Sequence, residues 1–190
     1  MIGLAAGGGG SEAGPVLQRL FRPRPSRLIG AVLFQQAARQ ARQPEFYQDL
    51  GVPDTVEGRF ELYSLHVILL LDRLRGVSGD ASEVSQAVFD AYLRSLDDAL
   101  REMGVGDLSV GKKMRKLGEA FYGRAKSYEQ ALAQSPQALE AVIARTVFAG
   151  VAADRVGVLA DYVLRCRASL ADVTTQTLIA GQASWAEIAP

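Results

Sequence analysis

Few side chains in this chain have the type and spacing to do chemistry. There is one histidine, His66, and one cysteine, Cys166. A zinc site draws on several His, Cys or carboxylate ligands, and neither H-x-x-x-H nor C-x-x-C occurs. A lone thiol cannot close an internal disulfide. Cys166 falls on an apolar helical stripe, where a small buried hydrophobe is expected rather than a nucleophile. The stretch Gly106–Lys112, G-D-L-S-V-G-K, nearly matches the phosphate-binding loop G-x-x-x-x-G-K-[ST]. The next residue is Lys113 rather than the hydroxyl that would hold magnesium, and a helix end, not a strand, precedes the stretch. The simpler reading is a stop at Gly104 and Gly106 followed by a helix cap at Asp107 or Ser109. No catalytic set, metal site or cofactor site is expected.

Charge narrows the partners. Lys+Arg and Asp+Glu are equal at 21 each in 190 residues, which excludes a wholly basic nucleic-acid binder and an acidic disordered tail. No sequence-specific nucleic-acid binding is expected. Two basic tracts stand out locally. Arg19, Arg22, Arg24, Arg27, Arg39 and Arg42 lie between Pro15 and Gln43 without an acid, beside Val16, Leu17, Leu20 and Phe21. Lys112, Lys113, Arg115, Lys116, Arg124 and Lys126 lie further along, with Glu119 the one acid among them. Such tracts are either solvated faces or a surface for anionic lipid or ribosomal RNA, the latter bound in a salt-sensitive way.

The elements that would position these residues are helices. Hydrophobic residues make up 48% of the chain, enough for a core. Between Asp54 and Ala189 the sole proline is Pro136, and it follows Ser135 as a helix start does. Apolar residues recur there at steps of three and four. The pattern predicts an all-α bundle of about six helices: 26–43, 54–76 with Asp54 and Glu57 as a capping box, 80–104, 109–133, 136–149 stopped by Gly150, and 154–173. Residues 1–14 carry six of the nineteen glycines and are expected to be a disordered tail, leaving 15–190 as a single domain. The longest apolar run, Leu62–Leu71, is too short to span a bilayer, and no secretory signal is present. The body is therefore expected in the cytoplasm, in keeping with the lone thiol.

The stripes indicate which faces are buried. Val110, Met114, Leu117, Phe121, Ala125, Tyr128 and Leu132 line the fourth helix, beside Gly111 and Gly118, which are expected to admit a close helix neighbour. The second helix is apolar around most of its circumference and is expected at the centre of the bundle. Its remaining stripe is Arg59, Tyr63, His66, Leu70 and Arg73. Buried charge needs a partner, so this stripe either pairs with acids such as Asp107 or Glu119 or opens onto a groove.

Several strings, in order, resemble the ubiquinol–cytochrome c chaperone family. They are ARQPEFY at 41–47, GVPDT at 51–55, RFE at 59–61, Leu65-His66, RLR at 73–75, Phe89-Asp90, LREMGVGD at 100–107, VGKKM at 110–114 and FYGR at 121–124 with Tyr128. The resemblance implies an assembly factor for the cytochrome bc complex that acts without ATP, with newly made cytochrome b as its protein client. It also implies, for mitochondrial members, a small helical partner and association with ribosome and membrane; lacking a transit peptide, this chain reads as bacterial. A peripheral position on the inner face of the cytoplasmic membrane would fit. The client surface is expected where family motif and unexplained polar stripe coincide: Tyr63, His66 and Arg73, together with Asp107, Lys112, Lys113, Phe121, Tyr122, Arg124 and Tyr128. The alternative is a helical scaffold or lipid-surface protein unrelated to that complex.

Overall fold

A computed structural model describes residues 24–149 and 154–188. The expected tail 1–14, the basic residues Arg19 and Arg22, and the expected stop at Gly150 lie outside the described residues. All secondary structure among the described residues is helical: α1 (Pro25–Gln40), α2 (Glu45–Gln48), α3 (Val56–Leu74), α4 (Asp80–Glu102), α5 (Asp107–Gln134), α6 (Pro136–Thr146), α7 (Val156–Asp172) and α8 (Thr175–Ile179). The six longer helices are those the periodicity predicts. The two single-turn ones, α2 and α8, are too short to generate an apolar period.

Caps define several of the ends. Ser135 accepts a hydrogen bond from the Ala138 N–H at 3.2 Å, with Pro136 in the first turn of α6. The start of α3 differs from the expected box. Thr55, not Asp54, is the N-cap, accepting from Gly58 N–H at 3.1 Å, while Asp54 pairs with Arg59 at 2.6 Å. A side chain at position 58 would collide with the Pro53 carbonyl, 2.0 Å from an ideal Cβ. The start of α5 also differs. Gly106 is the N-cap without a side-chain bond, and Asp107 pairs back to Arg101. The near match to a phosphate loop is thus the opening turns of a helix.

Helix α3 is central, packed by α1, α4, α5 and α7. Its buried residues run around the whole circumference, from Leu62 and Leu65 to Val67, Ile68, Leu69 and Leu70. The close helix approach falls elsewhere than expected. An added Cβ at Gly111 or Gly118 would meet nothing within 4 Å, whereas one at Gly30 would lie 2.4 Å from Ala87 Cβ and 2.7 Å from the Val88 nitrogen. Helices α1 and α4 therefore touch almost backbone to backbone. Gly30→Ala must push them apart and is expected to lower the unfolding free energy by about 2 kcal/mol, as overpacking does. Gly118→Ala should instead stabilise by roughly 0.5–1 kcal/mol through helix propensity. Denaturant midpoints of the two variants moving in the same direction would contradict this assignment.

Candidate functional site

The polar stripe of α3 does not form a single surface; its members are used on different flanks of the helix. On the α7 flank, His66 is wholly buried. Its Nδ1 lies 2.7 Å from the Leu62 carbonyl, which can only accept, so Nδ1 carries the proton and Nε2 is an acceptor. The Tyr162 hydroxyl, 2.8 Å away, donates to Nε2 and itself accepts from Gln40 Nε2 at 3.1 Å. Burial pushes the imidazole down from its ordinary value to about 4, the Leu62 bond opposing this, and pushes the Tyr162 phenol up. Phe46, Tyr162 and Trp185 surround the ring at centroid distances of 5.5, 5.8 and 5.3 Å. Cys166 is buried beside them, its thiol pushed up by desolvation.

Arg73 serves the same flank. Its Nε donates to the Leu170 carbonyl at 2.9 Å and its Nη2 to the Val173 carbonyl at 2.6 Å, closing the C-terminal end of α7. Tyr63 is half-buried, with the Arg42 guanidinium 5.2 Å from its ring centre. The acids expected as partners, Asp107 and Glu119, take no part: Asp107 pairs with Arg101, and backbone carbonyls and a tyrosine do the pairing instead.

The α5 flank holds the remaining expected residues. Phe121 and Tyr128 are core side chains, 2% and 1% exposed. Phe121 stacks in a run with Phe89 and Tyr92, and the Tyr128 hydroxyl donates to Thr146 Oγ1 at 3.0 Å. Arg124 forms a fork on Glu61, Nη2 to Oε1 at 2.7 Å and Nε to both oxygens at 3.1 Å. Glu61 is buried, whereas Arg124 is half-buried. Tyr122 lies outside this layer, 64% exposed and 5.6 Å from the Phe89 ring.

The surface expected from sequence is corrected accordingly. His66, Phe121 and Tyr128 are sealed inside because their apolar bodies complete the core, and Arg73 and Arg124 are occupied in bracing it. Accessible members of the set are Lys112, Lys113, Tyr122 and the paired Asp107. They lie on α5, whose first half buries only Val110 and leaves Leu108 fully exposed, close in sequence to exposed Met103. Sequence reasoning missed Tyr162, Gln40 and Trp185. The spacing of Tyr162 to Cys166 was visible, but the long-range contacts to α1 and α3 carry no local signal.

This is an all-α protein in which His66, Arg73, Glu61 and Arg124 brace the core, while Lys112, Lys113 and Tyr122 stay accessible on one long helix. A family model described as Ubiquinol-cytochrome C chaperone matches residues 48–185, and the chain belongs to that family. It is similar to the crystal structure of the Cbp3 homolog from Brucella abortus, with a TM-score of 0.81 and 35% identity, covering 91% of this chain and 97% of that one. It also resembles ubiquinol-cytochrome-c reductase complex assembly factor 1 of Xenopus laevis, 21% identical over 103 residues. That match takes in 54% of this chain and 52% of the relative, so the chain spans about half the length of that curated protein. No helix among the described residues is long and apolar enough to cross a membrane.

Proposed function

We propose that this chain is an assembly chaperone that binds a polypeptide client, newly made cytochrome b, during cytochrome bc complex biogenesis, and that it does so without nucleotide hydrolysis or other catalysis. Family membership over residues 48–185 carries this reading. The structure supports it with a braced helical frame and a long helix offering Leu108, Tyr122, Lys112 and Lys113 to a partner. Leu108 and Tyr122, exposed on one helix with lysines between them, give a client helix two apolar contacts and a positive charge. Binding to an anionic membrane surface or the ribosome is a second reading. It is favoured by the same lysines beside the protruding Leu108 and Met103, an arrangement that suits lipid.

The test is deletion of the gene followed by complementation, with the assembled complex read from cytochrome spectra and native gels. The wild-type chain should restore assembly. A chain carrying Leu108→Ser and Tyr122→Ala should accumulate normally yet restore several-fold less complex, since both side chains are largely exposed. Normal complex in the deletion strain would overturn the reading. If Lys112→Glu with Lys113→Glu abolishes low-salt binding to anionic vesicles but leaves assembly intact, the basic face serves membranes rather than the client.

A further inference from the structure

The segment after α8 is neither helix nor strand, yet it is held much as a bound peptide is held. The side-chain amide of Gln36 meets its main chain twice, Nε2 donating to the Gly181 carbonyl at 2.7 Å and Oε1 accepting from Ala183 N–H at 3.1 Å. Gln40 Nε2 donates to the Ala186 carbonyl at 3.2 Å, and Arg165 reaches the Glu187 carbonyl at 3.4 Å. These bonds read backbone, which any sequence of the same conformation presents. One side chain adds selectivity: Trp185, set against His66 between small neighbours Ser184 and Ala186.

The fit of this segment is incomplete. The Trp185 indole N–H and one Glu45 carboxylate oxygen, Oε2, are buried without a hydrogen-bond partner among the described residues, although buried polar atoms in a finished core are nearly always paired. Both residues border a depression of about 390 Å³ that Gln40, Gln43 and Ile188 also line. A groove that reads main chain and takes one aromatic anchor, with its own Glu45 acceptor and its occupant's indole donor both unspent, is suited to exchange that occupant.

We propose that the groove between α1 and α7 is a polypeptide-binding site that residues 182–188 fill in the free protein, and that its exchange partner is a non-helical segment bearing one aromatic side chain between small residues. This rests on the reading of the chain as a polypeptide-binding chaperone and assigns that activity a second surface, built on α1 and α7 rather than on α5. Releasing the strap uncovers the Trp185 seat beside His66 and the Ala186 contact with the Cys166 sulfur. While docked, the strap competes from within the molecule, so an added peptide should bind the intact chain weakly.

The probe is a fluorescein-labelled peptide of residues 181–188, added to the full-length chain and to its Trp185→Ala variant. The variant should bind it at least tenfold more tightly than the wild type, and a peptide with alanine in place of its tryptophan should not bind. A Trp185→Ala chain with wild-type helical signal and no affinity for the peptide overturns the proposal. Should that variant fail to fold, Gln36→Ala is read through the emission of Trp185, the chain's one tryptophan. A red shift at denaturant concentrations below helix melting supports an exchangeable strap; a shift that coincides with helix melting overturns it. A wild-type dimer dissolved by the peptide would also overturn it, making a second copy the occupant. These outcomes are independent of cytochrome complex assembly in the deletion strain, so failure here leaves that test standing.

Discussion

Arg124→Ala is expected to lower the free energy of unfolding by about 3 kcal/mol, at the low end of the cost of removing one partner from a buried ion pair. Glu61 is only 6% exposed, and all of its side-chain hydrogen bonds among the described residues come from the Arg124 guanidinium. Removing that group strands a carboxylate between α3 and α5. The guanidinium is about a third exposed, so water entering the gap recovers part of the loss, which places the effect below the top of the range. The pair itself is worth little. Replacing Glu61 and Arg124 together by leucine should restore most of the lost stability, because neither desolvated charge remains. Urea denaturation of the two single variants and the double variant gives the coupling directly. An Arg124→Ala cost below about 0.5 kcal/mol, the scale of an ordinary surface substitution, would show that Glu61 is solvated and the fork incidental.

Acid should weaken the fold through His66. In the unfolded chain the imidazole titrates near 6.5, while in the folded chain burial among Phe46, Tyr162 and Trp185 lowers this to about 4. Between those values the unfolded state binds the extra proton and the folded state does not. Stability is therefore complete above pH 6.5 and declines as pH falls towards 4, by about 3 kcal/mol in all. Protonation also disrupts the hydrogen-bond order, since the Tyr162 hydroxyl could no longer donate to Nε2. A His66→Gln chain starts less stable but lacks this titration. Its denaturant midpoint should vary distinctly less than that of the wild type between about pH 7 and pH 4.5, the difference isolating the imidazole from the carboxylates that titrate below it. Parallel profiles for the two proteins would mean that His66 reaches solvent.

Both effects lie in residues that the sequence singled out for a different reason. His66 was conspicuous as a polar group on an otherwise apolar helix and Arg124 as a member of a basic tract, and each could either recognise a partner or be satisfied internally. Choosing between these needs the partner's position, and the partners are far away in sequence: Tyr162 for His66, Glu61 for Arg124, the Leu170 and Val173 carbonyls for Arg73. Gly111 and Gly118 show the same limit. Small residues at helical spacing permit close approach, but another helix has to arrive, and here it arrives at Gly30 instead.

Local chemistry was enough to determine the helical class, the six long helices, the central place of α3 and the Ser135 cap. Apolar period, proline position and cap type act within a few residues of each other, so the one-dimensional string already contains them. Tertiary structure alone decided which polar side chains are buried, that α5 rather than His66 and Arg73 of α3 stays accessible, and that a seven-residue C-terminal strap lies across α1 and α7. Those outcomes depend on how faces of separate helices pair, and burial is a property of the assembled layers, not of any one segment.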